Sequence, residues 1–461
     1  MRRVWPAVLP WAAALAAFLL VAWTLFERAA ALEVPAYDTA FFEQVVWNLG
    51  HGRGFQSGYF SANFLGLHFE PLLVVPALLE RIWPDTRLLS LLEAAGIALT
   101  APAGYLFLRR LLGDRRGAQI ASVALAAPLP LWLALQDAAG AGFHPESMAL
   151  PLLLLAGWAG LRGRMAWCWI LVAIAICAKE DQAYAVLVLG LLLVRRGSHP
   201  RHGAVMAGLA VAWAGVLELW LMPMLRGSVR SDIASYYAWL HHPTPALLLQ
   251  HLAAPAGWVG FAAIVASMAG LPLLRPGWLA LAAPPLLGSL LSDHSPQPAL
   301  HLQYGLPLVM PVFVAGGLGL ERLLDTERFR FLRSQPALAA LCVPALLIGG
   351  LWGPMVRGHP ALAPSLLGQL DSCSAAIPAS APVATDDDVA APLAARPWEV
   401  PLTWAGPSDW IVVDTEAKPP QYVDAQARTA LLAHLAAGGR RLVCRQGRFE
   451  VWTPAQSGGR T

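Results

Sequence analysis

Charge is what this sequence lacks most. Asp, Glu, Lys and Arg make up 13% of its 461 residues, roughly half the ~25% of an ordinary soluble domain. The deficit is uneven: apolar runs fill residues 7–353, whereas 354–461 has the composition of soluble protein. A net charge of +3 is too small to hold nucleic acid, which needs clustered neutralising cations. Cysteine is scarce too, five in all. Cys168, Cys177 and Cys342 fall in apolar runs as inert core thiols. Cys373 and Cys444 fall in the tail, where they either pair, if the tail is exported, or stay free. A phosphate-binding glycine loop, a dinucleotide glycine fingerprint and a nucleophile elbow are all missing, so nucleotide hydrolysis and redox chemistry have no support.

What is present is a series of apolar runs long enough to thread a bilayer. A spanning helix needs about twenty mostly apolar residues, fewer where the bilayer thins, and on that measure there are about eleven spans. They cover 7–26, 88–108, 118–135, 147–161, 166–178, 182–194, 203–225, 257–274, 277–292, 303–320 and 336–353. The first run lacks a small-residue cleavage site and is read as an uncleaved helix rather than a signal peptide. With the N-terminus in the cytoplasm, alternation gathers the basic residues inside: Arg2, Arg3, Arg109, Arg110, Arg115, Arg116, Arg162, Arg164, Arg195, Arg196, Arg201, Arg275, Arg322, Arg328, Arg330 and Arg333. The longer outer loops hold fewer, namely Arg28, Arg53, Arg81, Arg87, Lys179, Arg226 and Arg230. That is the positive-inside bias, and an odd span number puts the C-terminus outside. The run His68–Pro84, interrupted by Pro71 and Pro76, is read as a helix lying in the outer interface or re-entering.

With this topology the unusual polar residues sort to the outer ends of the spans. They are Tyr37-Asp38, Glu43-Gln44, Asn48, His51-Gly52-Arg53, His68-Phe69-Glu70-Pro71, Phe143-His144-Pro145-Glu146, Lys179-Glu180-Asp181, Asp293-His294 and Gln303-Tyr304. Ionisable groups near a bilayer are costly and mark function by default. Residues 38–50 predict an amphipathic surface helix with the stripe Phe41, Phe42, Val45, Val46 and Leu49, ended by Gly50 and Gly52. Asp38 then has two readings, a helix N-cap or a functional acid. The two His-x-Glu pairs, His68 with Glu70 and His144 with Glu146, could supply a divalent metal ion, or could tie loops to helix ends. Lys179-Glu180-Asp181 interrupts what would otherwise be one apolar run, either as an interfacial hairpin or as part of a site. The abundant Trp near helix ends reads as an aromatic belt.

The tail reads as a small α/β unit. Extended runs cover Ala381–Thr385, Asp409–Asp414, Arg441–Cys444 and Phe449–Trp452; helical patterns cover 361–376 and 425–437, the second ending at Gly438-Gly439. Asp386-Asp387-Asp388 fits a strand end leading into a helix N-terminus, where acids are favoured. The division is therefore a transmembrane domain, 1–353, with outer loop helices in 27–86, and an extracytoplasmic α/β domain, 354–461.

The run YDTAFFEQVVWNLGHGRGF, followed by HFEP, FHPES and KED in that order, resembles the bacterial membrane-protein family of domain of unknown function 2079 across essentially the whole chain. That family is in turn similar to the C-class glycosyltransferases, such as protein mannosyltransferases and the aminoarabinose transferase of lipid A. The resemblance implies an α-helical polytopic fold in the cytoplasmic (inner) membrane, a polyprenyl-phosphate sugar donor, and a catalytic acid in the first outer loop. Asp38 occupies that position, with Glu43 in reserve; the relatives often carry adjacent acids there, and this chain has a lone Asp38. Arg53, His68, Glu70, His144, Glu146, Lys179, Glu180 and Asp181 are the expected substrate-binding set. The rival expectations are a transporter or flippase, whose polar groups would lie near the midplane, and a non-catalytic envelope assembly protein.

Overall fold

A computed structural model describes residues 5–33, 36–197, 199–230, 232–357, 366–417 and 425–455. Among them, six helices are long and apolar enough to cross a membrane: Ala7–Ala30, Arg87–Leu112, Ala118–Ala141, Pro200–Arg226, Leu302–Asp325 and Gln335–Trp352. The pair Pro245–Ala253 and Pro255–Ser267, bent by 40° at its break, adds one more span or a re-entrant loop. Pro145–Leu161, Met165–Ala175 and Gln182–Arg196 are shorter apolar helices. All eleven expected segments thus carry helix, although several are too short to cross alone. Helix Leu302–Asp325 is buried along nearly its whole length and forms the axis of the bundle.

The first span shows why this is a membrane protein. Trp11, Leu15, Leu19 and Trp23, spaced by four, form its exposed stripe, while Ala14, Ala17, Val21 and Leu25 are buried. A soluble helix would carry charge on the exposed stripe; here that face is dressed for lipid. Between helices in lipid, close packing replaces the hydrophobic drive, so contacts use small residues. Ala14 and Ala17 meet Ala98 and Ala101. Helices Gln182–Arg196 and Pro200–Val216 approach so closely at Gly190 and Gly203 that a Cβ on Gly203 would lie 2.6 Å from the Gly190 carbonyl oxygen.

The tail folds as a five-stranded mixed sheet: β1 (Val383–Thr385), β2 (Glu399–Pro401), β3 (Trp410–Asp414), β4 (Leu442–Gln446) and β5 (Phe449–Trp452), in the order β2-β1-β3-β5-β4. β1 runs parallel to β2 and β3; β5 is antiparallel to β3 and β4. The alternating apolar residues of β3 and β5 fill two layers, Val412, Phe449 and Val451 on one face and Ile411, Val413 and Trp452 on the other. β2 was not expected from the sequence, because three residues between prolines carry no periodicity. Cys373 and Cys444 are disulfide-bonded, their Cα atoms 5.6 Å apart. The helix expected over 361–376 is observed as Leu367–Ser374; residues 361–365 lie outside the described residues. Gly438, at φ +87°, ends the second helix as expected.

The loop helix Ala36–Gly50 joins the two parts. Its Gln44 amide donates to the Glu399 carbonyl at 3.3 Å, and Asn48 donates to Gln56 O at 3.0 Å and Pro397 O at 3.4 Å. Asp38 lies in the first turn of this helix, not at its cap. Downstream, the apolar segment after His68 forms a short helix over Pro71–Glu80, with Leu78 and Ile82 exposed.

Candidate active site

A cavity of about 530 Å³ opens at the sheet-bearing end of the bundle. Asp38, His68, Glu70, His144, Lys179, Glu180 and Asp181 all line it. Four sequence-distant segments meet here for specific reasons.

The loop helix brings Asp38. Two residues of its apolar stripe point the same way as Asp38: Phe41 packs edge-on against Phe64 (5.1 Å between centroids), and Phe42 against Phe143 (5.9 Å) and His144 (5.4 Å). These contacts fix the helix roll, so that Asp38 Oδ2 faces His144 Nε2 at 4.0 Å. His144 Nδ1 is 3.2 Å from the Gly142 carbonyl. A carbonyl only accepts, so Nδ1 carries the proton and Nε2 is the nitrogen turned to Asp38.

The FHPES turn is anchored from below by Glu93, on span Arg87–Leu112. Its carboxylate accepts from His144 N (3.0 Å) and Ser147 Oγ (2.7 Å), satisfying donors at the start of helix Pro145–Leu161.

HFEP and KED are clamped to each other. Glu180 Oε1 is 3.0 Å from His68 Nδ1, and Oε2 accepts from Phe69 N at 2.8 Å. Leu72 N adds a bond to Cys177 O at 2.8 Å. Burial alone would raise the Glu180 carboxyl, but His68 and Lys179 beside it bring it down to about 2. Asp181 goes the other way, to about 7, because burial outweighs Lys179.

Lys179 sits at the centre. Its ammonium is 2.5 Å from Glu146 Oε1. Glu146 itself is buried behind the cavity wall and reaches it through this pair. Glu70 is fully buried, and neither of its carboxylate oxygens has a partner. Burial first, then Glu146, hold it well above the usual carboxylate range.

The metal reading of the two His-x-Glu pairs is one of two, the other being ties between loops and helix ends. His68 is taken by Glu180 and Glu146 by Lys179, while His144 Nδ1 is held by the Gly142 carbonyl. Among the described residues no group of three or more His, Cys, Asp or Glu could hold a metal ion. Two other expected residues lie elsewhere. Glu43 is buried on the flank of the loop helix that faces Glu80, pushed up to about 8 by burial and by the charges of Glu80 and Asp85. Arg53 is exposed, 5.8 Å from the Trp47 ring.

The family described as "Predicted membrane protein (DUF2079)" matches residues 28–440. The chain belongs to that family. No curated protein matches it. Two solved structures of ArnT from Cupriavidus metallidurans share the fold: one bound to undecaprenyl phosphate (TM-score 0.53) and one in the apo state (TM-score 0.50). Each is 15% identical, with 95% of this chain and 98% of that chain covered. The DUF2079 chain therefore shares its overall fold with ArnT.

Some lining residues of this DUF2079 cavity escaped the sequence reading. Glu218 comes from span Pro200–Arg226, at a π-helical stretch, Leu217–Leu221. One acid in an otherwise apolar span is a signal for function, and a π-bulge often marks such a site. Tyr236, Tyr237 and Trp404 carried no such signal.

Proposed function

We propose that the protein is a membrane glycosyltransferase of the C-class kind, moving a sugar from a lipid-phosphate donor to a hydroxyl acceptor outside the cytoplasm. The observation that carries this reading is the cavity itself: Asp38, 4.0 Å from His144, and Lys179, ion-paired to Glu146, line one chamber together with Trp404 of the sheet domain. The shared fold with ArnT, one of whose structures is bound to undecaprenyl phosphate, supports the choice of donor. The outward orientation is supported by the arginine bias and by the Cys373–Cys444 disulfide, since such bonds persist in oxidising compartments.

In this mechanism Asp38 is the general base. It takes the proton of the acceptor hydroxyl as the new bond forms at the anomeric carbon. The bond from that carbon to the phosphate oxygen breaks on the opposite face, and the lipid phosphate leaves with the electron pair. One carboxylate suffices for such an inverting step. Lys179 offers the leaving phosphate its positive charge, in a partly water-excluded site where charge counts for more. The Glu180–His68 clamp keeps KED and HFEP in register around it.

The test compares envelope glycans from cells carrying the wild type, no protein, or Asp38→Asn. Loss of the same glycan from the last two supports the reading. Identical glycans in all three overturn it.

A further inference from the structure

One wall of the cavity does not come from the membrane bundle. Trp404 lines it, and Trp404 belongs to the sheet domain, ending the short 3-10 turn Leu402–Trp404 that follows β2. The turn is held at both sides. Leu402 is fully buried among Ile411, Val413, Leu435 and Trp452. β2 is pinned to the loop helix through Gln44 and the Glu399 carbonyl. A turn fixed in this way directs Trp404 outward, and its side chain is left 53% exposed. It lies on no spanning helix, so the aromatic-belt explanation for tryptophans at helix ends does not reach it.

We propose that Trp404 is a stacking platform for the sugar ring at the mouth of the cavity, and that this is what the sheet domain contributes to the site. A pyranose has one face of C–H groups and a rim of hydroxyls. The indole face suits the first. Other lining residues suit the second: Tyr237, Gln297 and Gln303, with Gln297 donating to the Tyr237 hydroxyl at 3.0 Å. Binding sites combine such apolar faces with a few fixed polar groups. This inference rests on the transferase reading and adds that the sugar, not the lipid, is read by Trp404.

The experiment uses the full-length protein in lipid nanodiscs and three probes: undecaprenyl phosphate, and the same lipid phosphate carrying glucose or mannose. Affinities are measured by native mass spectrometry for the wild type, Trp404→Ala and Trp404→Phe. The wild type is expected to bind the glycosylated lipids more tightly than the bare one. Trp404→Ala should remove that increment, roughly a tenfold loss, and leave bare-lipid binding unchanged, while Trp404→Phe keeps most of it. A retained increment in Trp404→Ala overturns the inference. So does an equal weakening toward all three probes, which would make Trp404 a membrane anchor, or a wild type that does not distinguish sugar from no sugar. A wild type that binds none of the lipids fails earlier and overturns the transferase reading together with this one.

Discussion

The Glu180 carboxylate grips two consecutive residues of a segment more than a hundred positions away: one oxygen is 3.0 Å from His68 Nδ1 and the other accepts from Phe69 N at 2.8 Å. Removing it leaves a buried amide and an imidazole without their acceptor. Glu180→Ala should lower stability by about 3 kcal/mol, read as a drop in the melting midpoint in detergent. A double-mutant cycle with His68→Ala should show coupling of about 1 kcal/mol or more. Additive effects would mean the pair is incidental.

Lys179 and Glu146 form a buried ion pair. Breaking such a pair from one side strands a charge, whereas replacing both partners is tolerated better. Lys179→Met and Glu146→Leu should each destabilise strongly, by about 3–5 kcal/mol, and the double variant by less than either. Melting midpoints of the four proteins decide it.

Gly190 and Gly203 let two helices touch backbone to backbone. A methyl group at Gly203 would sit 2.6 Å from the Gly190 carbonyl oxygen, so the helices must part. Gly203→Ala should cost about 1–3 kcal/mol. Gly208→Ala, with open space around it, should not destabilise the protein. Equal effects at both positions would contradict the packing.

The seam between sheet and loop helix carries a titrating acid. Glu399 is fully buried, bonded by Thr385 Oγ1 at 2.7 Å and by the Tyr59 hydroxyl, and burial raises it from its ordinary 4.5 to about 7 against those bonds. The folded protein therefore favours the protonated acid. Its stabilising effect is full below pH 4.5 and is lost as pH rises through 7, on the order of 3 kcal/mol in all. Glu399→Gln should melt like the wild type near pH 4.5 and higher than the wild type at pH 8. A constant difference across that range would contradict the assignment.

Much of this was legible in the sequence because it rests on local pattern. The apolar runs became helices, and residues of the four motifs came together because the loops and loop helices that carry them lie at one end of the bundle. What stayed hidden depended on contacts between distant segments. Whether Cys373 and Cys444 pair is a question of whether β4 brings Cys444 within reach of helix Leu367–Ser374. Glu93 read as one more residue of an apolar span, and its role in holding His144 and Ser147 exists only across two helices. Asp38 could be placed on a helix but not rolled: that required Phe42 against Phe143. The same roll turns Glu43, five residues on, away from the cavity.

The proposed role of Asp38 as the base of a sugar transfer sets the rate of that transfer. It is tested most directly by the rate at which purified protein in liposomes moves labelled sugar from undecaprenyl phosphate donors to envelope acceptor lipids. Asp38→Asn, melting like the wild type, should lose roughly 100-fold or more of the rate. Transfer by Asp38→Asn at the wild-type rate would contradict that role.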